Sequence, residues 1–359
     1  VQGHTIVTSI SIGVAVRTPG VGSRELLGSA DRALYESKRR GRDCIATAQE
    51  PDPMPPDVAV GLRRAAPGVL TKHPAAHRSR VRPTQDPFTE LVASALHEQR
   101  LQVDYQPVVE LNEGRIIGVE ALLRMRDRNG RVVMPDTFIP LAEATGDIHE
   151  FGSWILMEAA RQTQIWKRQL PADADFCLGV NLSPRQVDDP HLLDRVDEAL
   201  AASRLDPSAL ALELTERIPI GNSTAGRRNL HEIRDRGVHL ACDDFGAGHA
   251  GPQQIHELPF DIIKIDRMWT SRLALEDGPP TRLARGILRL AKATELVVIA
   301  EGVETERERL ALLAEGCQLA QGYLFSRPQA PADITAYLRA QGGSDTGPRD
   351  EIGGSALAP

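Results

Sequence analysis

From Phe88 onward, short apolar runs alternate with amphipathic stretches of helical length. The strand-like runs are Gln102–Gln106, Ile116–Leu123, Phe176–Leu182, Ala209–Leu214, His239–Asp243, Asp261–Ile265, Leu296–Ala300 and Leu319–Phe325. Helical spacing of apolar positions predicts helices over Thr137–Thr145, Glu150–Gln169, Leu192–Ser203, Ala225–Arg236, Thr281–Thr294, Thr305–Ala314 and Pro331–Ala340. Strands alternating with helices imply a mostly parallel sheet. Eight strands in about 250 residues suit an α/β fold of the TIM-type (β/α)8 barrel class. A doubly wound open sheet is the rival, but no G-x-G-x-x-G follows the first strand.

The first 87 residues are patterned differently. Residues 5–16 alternate as a strand does, and 24–40 place Leu26, Leu27, Ala30, Ala33 and Leu34 at helical spacing, with Gly41 as a stop. About 45 residues make a marginal core alone. From 47 to 86 prolines recur, and the charges between Asp57 and Asp86 are all basic: Arg63, Arg64, Lys72, Arg78, Arg80 and Arg82. That composition reads as a solvated, locally extended linker. Residues 342–359, rich in Gly, Ser, Pro and Asp, read as a disordered tail. The expected organisation is a small α+β piece over 1–46, a linker over 47–86, the barrel over 87–341 and the tail.

Composition narrows the function. A net charge of -7 argues against a general nucleic-acid-binding surface. Cys44, Cys177, Cys242 and Cys317 lie far apart and form neither a C-x-x-C pair nor a disulfide framework. Reduced thiols point to a cytoplasmic protein. No apolar run reaches membrane-spanning length, and no signal peptide opens the chain.

The candidate chemistry centres on Leu240 to Asp266. An apolar run there ends in Asp243 and Asp244, ahead of a glycine-rich turn over Phe245–Gly251. One Asp at a strand-to-helix turn is an ordinary N-cap. Two adjacent carboxylates at a buried strand end are costly without a cation between them, and hard divalent cations take clustered oxygens. Chemistry in such a barrel collects at the C-terminal ends of strands. Those ends offer Glu120, Asn181, Glu213, the Asp243–Asp244 pair, Lys264, Glu301 and Gln321. An all-oxygen set without histidine favours Mg2+ or Mn2+ over zinc. Five carboxylates exceed the charge of one divalent ion, so two ions are expected, an arrangement suited to phosphodiester hydrolysis. Asp243 would bridge them around a shared hydroxide, and Lys264 would orient that nucleophile or steady developing charge.

The motifs, in order, are YQP at 105–107, VEALLR at 119–124, FIPLAEATG at 138–146, NLSPRQ at 181–186 and ELTE at 213–216. They continue with DDFGAG at 243–248, LPFDIIKIDR at 258–267, AEGVET at 300–305 and QGYLFSRP at 321–328. Residues 88–340 thereby resemble an EAL domain, the cyclic di-GMP phosphodiesterase family. The resemblance implies a barrel whose first strand runs against the others, and hydrolysis of cyclic di-GMP to linear pGpG. It implies that Glu120, Asn181, Glu213 and Asp243 ligate a first metal, and that Asp243 and Asp244 serve a second with Glu301 close by. Lys264 would hold the catalytic water, and Gln321 would support the site. Gln106, Arg124, Arg185 and Asp266 would meet the substrate; Glu216 and Glu304 would hold the loop after Asp244. A homodimer through this domain is also implied. SISIGVA at 9–15 and ADRALYESKRRGR at 30–42 resemble the C-terminal end of a GGDEF (diguanylate cyclase) domain. The loop that names that family is absent, so cyclase activity is not expected.

One stretch departs from the pattern: His249-Ala250-Gly251-Pro252 stands where relatives carry Tyr-Ser-Ser-Leu. His249 reads as a solvent-facing loop residue. The altered loop motivates an alternative, a non-catalytic cyclic di-GMP receptor or scaffold; a related two-metal hydrolase of another phosphodiester is a third reading. Retention of Lys264 and Glu301 favours catalysis, since a pure receptor has no chemical need of them.

Overall fold

The protein is described by a computed structural model over residues 12–14, 45–47, 87–171, 174–215, 224–247, 258–294 and 296–343. The chain divides into two compact units, Val1–Arg80 and Val81–Pro359. In the first, β1 (Ile12–Val14) pairs in parallel with β2 (Ile45–Thr47). The helix expected over 24–40, the linker expected over 47–86 apart from Thr47, and the tail beyond 343 lie outside the described residues.

In the second unit, β3 (Leu101–Glu110) and β4 (Ile116–Arg126) are joined by five residues. So short a connection permits only an antiparallel hairpin. Gly114, at φ +67°, and the bond from Glu110 N–H to Arg115 O close the turn. The remaining strands, β6 (Cys177–Asn181), β7 (Leu210–Thr215), β8 (His239–Phe245), β9 (Ile262–Ile265), β10 (Val297–Ala300) and β11 (Leu319–Gln321), lie parallel to one another and to β4. β3 pairs antiparallel with both β4 and β11, closing an eight-stranded barrel. A two-residue strand, β5 (Val132–Val133), extends β4 at the rim.

Helices wrap the outside. Those over Pro135–Thr145, Ile148–Lys167, Leu192–Ser203, Thr224–Asp235, Pro279–Ala293, Glu306–Ala314 and Pro331–Gly343 match the expected ones, with ends moved by a few residues. Short helices over Pro87–Ala93, Pro184–Val187 and Arg267–Leu273 were not expected; each is too brief to display a period. The last strand stops at Gln321, short of Phe325, because Gly322 O accepts the N–H groups of Phe325 and Ser326 in a turn. Trp166 anchors the outer shell to the barrel wall. It is fully buried, meets Tyr105 edge-on at 4.8 Å, and donates from Nε1 to Thr335 Oγ1 at 2.8 Å. Such aromatic pairs add about 1 kcal/mol beyond their buried area.

Candidate active site

Ile117, Ala211, Ala241, Ile262, Ile299 and Leu319 form one small apolar cluster. They come from strands on opposite sides of the barrel, so the cluster fills its interior. Side chains on a strand repeat direction every second residue. Two residues further on stand Glu213, Asp243, Lys264, Glu301 and Gln321. The inward face is thus apolar at one level and polar at the next, at the C-terminal strand ends.

Lys264 occupies the centre of that polar level with 1% exposure. Its Nζ lies 2.6 Å from Glu213 Oε2, 2.8 Å from Glu301 Oε1, 3.1 Å from Glu120 Oε2 and 3.2 Å from Asp243 Oδ1. Amides complete the cage. Gln321 Nε2 donates to Glu120 Oε2 at 2.7 Å and to Gln106 Oε1 at 3.0 Å. Asn181 Nδ2 donates to Glu120 Oε1 at 2.7 Å. Glycine makes the space: a Cβ on Gly179 would lie 2.0 Å from Glu213 Oε1.

The adjacent acids would face opposite ways on a regular strand. Here the β8–β9 register slips between Cys242 and Phe245, and Asp244 adopts φ +56°. A bulge with a left-handed residue re-aims side chains, and aspartate tolerates that conformation better than most residues do. Oxygens of Asp243, Asp244 and Glu301 consequently lie within 4.8 Å of one another. Gly246 follows at φ +89°, where a Cβ would come 2.4 Å from Trp269 Nε1.

One ammonium cannot pair with all these acids, and their proton affinities diverge. Burial pushes Glu213 up to about 8; Lys264 opposes this, while Glu120 and Asp243 add to it. Burial also raises Glu301 well above the carboxylate range, against Lys264 and with Asp243 and Glu120. Glu120 is equally buried, yet Lys264 and the amides of Gln321 and Asn181 outweigh burial and hold it below its ordinary value. For Lys264, burial alone would favour the neutral amine; Asp243, Glu120, Glu213 and Glu301 together raise it well above the ordinary lysine value. Burial pushes Cys177 up to about 12 and Cys317 to about 11, so neither is a thiolate near neutrality.

Above this level opens a cleft of about 340 Å3, lined among others by Gln106, Glu120, Asp244, Asp266, Glu301 and Gln321. Asp266 also caps helix Arg267–Leu273, accepting from Met268 N–H at 2.7 Å. Arg267 and Tyr323 stand at the same cleft and were not foreseen; the signal for Arg267 was an arginine directly after a strand-end aspartate. Glu304 accepts from Arg267 at 2.7 Å. The Thr305–Glu308 capping box pins its backbone, with Glu308 Oε2 accepting from Glu304 N–H at 2.7 Å. Arg124 and Arg185 do not line the cleft. Arg124 is paired with Asp104 at 3.1 Å, and Arg185 is exposed on helix Pro184–Val187. Glu216 and the divergent His249–Pro252 lie outside the described residues.

Residues 90–328 match the EAL domain family. The chain belongs to that family. Its EAL barrel and the region before it are 33% identical to the bifunctional diguanylate cyclase/cyclic di-GMP phosphodiesterase MucR of Pseudomonas aeruginosa, over 94% of this chain and 45% of the relative. Identity to the cyclic di-GMP phosphodiesterase NbdA of the same species is 32%, over 94% of this chain and 40% of that one. The chain thus spans less than half the length of these curated relatives. Among solved structures, the PaMucR phosphodiesterase in complex with c-di-GMP superposes with a TM-score of 0.63 at 36% identity, covering 68% of this chain and 98% of that one.

The carboxylate arrangement of the EAL barrel fits a divalent cation. Its donors are all oxygens, three carboxylates converge, and Gln321 Oε1 is a buried oxygen that accepts no hydrogen bond among the described residues. No helix among the described residues is long and apolar enough to cross a membrane.

Proposed function

We propose that this EAL barrel hydrolyses cyclic di-GMP to linear pGpG in bacterial second-messenger signalling. The observation that carries this reading is Lys264 caged by Glu120, Glu213, Asp243 and Glu301, two of which, Glu120 and Glu301, line an open cleft, with Asp244 beside Asp243 and Glu301. Support comes from the named relatives, two of them cyclic di-GMP phosphodiesterases. Glu120, Asn181, Glu213 and Asp243 would hold one Mg2+ or Mn2+ ion; Asp243, Asp244 and Glu301 would hold a second. Bound there, the pair would polarise the phosphodiester and neutralise its charge.

The chain's own residues do the rest. Asn181 commits Nδ2 to Glu120 and so presents Oδ1 as its ligating atom. Gln321 fixes both the Glu120 carboxylate and the Gln106 amide. Lys264 keeps a positive charge beside the acids and steadies negative charge that develops in the reaction. Glu213 and Glu301, whose proton affinities burial raises, would give up those protons as cations took their place. Asp266, Arg267 and Tyr323 border the space a guanine nucleotide would fill, Arg267 being suited to phosphate or base edges.

Residues 1–46 are proposed to correspond to the C-terminal end of a GGDEF domain, supported by the alignment to MucR, which extends over 94% of the chain. A cytoplasmic homodimer through the EAL domain completes the proposal. The deciding experiment incubates the purified chain with cyclic di-GMP and Mn2+ and identifies products by mass. Linear pGpG is expected. Tight dinucleotide binding without turnover, in the parent and with Tyr, Ser and Ser restored at 249–251, would establish the receptor instead.

A further inference from the structure

The turn that carries Asn181 out of β6 is held by a side chain with no part in the chemistry above. Leu182 N–H donates to Glu213 O at 2.8 Å, and Ser183 then caps the four-residue helix Pro184–Val187. The cap is reciprocal: Gln186 Oε1 accepts from Ser183 N–H at 3.0 Å, and Ser183 Oγ accepts from Gln186 N–H at 3.4 Å. A helix of one turn cannot sustain itself and depends on such bonds.

Gln186 is 6% exposed, whereas glutamine is mostly a surface residue. It fits because helix Ile148–Lys167 offers Gly152 to it: a Cβ there would lie 1.7 Å from Gln186 Nε2. Glycine inside a helix costs about 1 kcal/mol relative to alanine, so the notch is not a neutral choice. A cavity of about 20 Å3 bordered by Gly152, Asn181, Gln186 and Arg195 adjoins it, room for about one water. The glutamine therefore links helix Ile148–Lys167 to the turn, and the turn to Asn181, whose amide reaches Glu120 at 2.7 Å.

The geometry points to Gln186, seated in the notch at Gly152, as the positioning residue that sets the orientation of Asn181 toward the cation. This rests on the reading that Asn181 ligates a divalent ion. Loss of such an outer support costs about 10- to 100-fold in metal affinity.

The test is Mn2+ binding to the full chain by titration calorimetry without substrate, alongside thermal unfolding in chelator. Asn181→Ala should bind Mn2+ at least about 10-fold more weakly. Gln186→Leu, which keeps bulk and loses the amide, should weaken binding about 10-fold with little change in Tm. Gly152→Ala should do the same by expelling the amide. The Gly152→Ala/Gln186→Ala double should bind no more weakly than Gln186→Ala, since the smaller residue vacates the notch. Parent-like affinity in Gln186→Leu, with weak binding in Asn181→Ala, overturns this inference and leaves the site assignment standing. No Mn2+ binding by the parent, or parent-like affinity in Asn181→Ala, overturns the assignment and this inference with it. Should Gln186→Leu fail to fold, Gly152→Ala decides: parent-like affinity there overturns the inference.

Discussion

Lys264 and Glu213 meet at 2.6 Å, the shortest of four contacts between that ammonium and surrounding carboxylates. The acids would otherwise repel one another in a space with little water. Burial, with their mutual repulsion added, raises Glu213 and Glu301 even with the lysine present.

Lys264→Met removes the charge and keeps much of the shape. Deleting one partner of a buried ion pair costs about 3–5 kcal/mol. In chelator, the variant should therefore unfold in urea with stability lowered by about 3 kcal/mol, and Mn2+ should recover part of the loss. Identical urea curves in chelator would mean that the carboxyl groups simply take up protons.

Gly179→Ala tests the clearance beneath Glu213. The new methyl would overlap Oε1, which has to move. Overpacking of this kind costs about 1–3 kcal/mol. If Glu213 ligates as proposed, cyclic di-GMP turnover should fall by about 10-fold at saturating Mn2+. An unchanged kcat would show that Glu213 has slack the structure does not display.

Asp261 carries a pH signature away from the cleft. Burial would raise its carboxyl, but His239, Leu240 N–H and Arg234 together hold it below 3.8. Arg234 Nε lies 3.0 Å from Oδ1, and Leu240 N–H donates to Oδ2 at 3.1 Å. A folded-state value below the unfolded one stabilises fully above the unfolded value and is lost as pH falls through the folded one. Asp261→Asn should be less stable than the parent by about 1–2 kcal/mol at pH 7. The gap should close as pH drops below about 4. Urea midpoints at several pH values check this; a gap that stays constant with pH would refute it.

A chain of residues 81–359 should keep the parent's kcat. Every residue named at the cleft lies at Gln106 or later. A truncated protein that folds and binds Mn2+ but turns over no cyclic di-GMP would give the N-terminal unit an active part.

Much of the polar layer was legible because a barrel imposes two regularities at once: strands repeat every second residue, and function sits at one end of them. Glu120, Glu213, Asp243, Lys264, Glu301 and Gln321 could be picked out that way before any geometry was known. The reversal of β3 could not be read from periodicity, which is blind to direction. The short Asn112-Glu113-Gly114 turn did encode it, since five residues cannot carry a crossover. Gly179 also left a trace, because glycine inside a strand often marks a close approach. Which atom comes close is a tertiary fact, and so is the seating of Gln186 against a helix more than thirty residues earlier in the chain. Asp243 and Asp244 were visible as neighbours, but their convergence depends on a register slip that residue types do not announce.

Ile117, Ala211, Ala241, Ile262, Ile299 and Leu319 plug the barrel below the site. The plug makes the cleft a cul-de-sac. What enters the cleft that Arg267 and Tyr323 help to line leaves by the same side. For the reaction proposed, a spent linear dinucleotide lingering on the layer bars the next cyclic one.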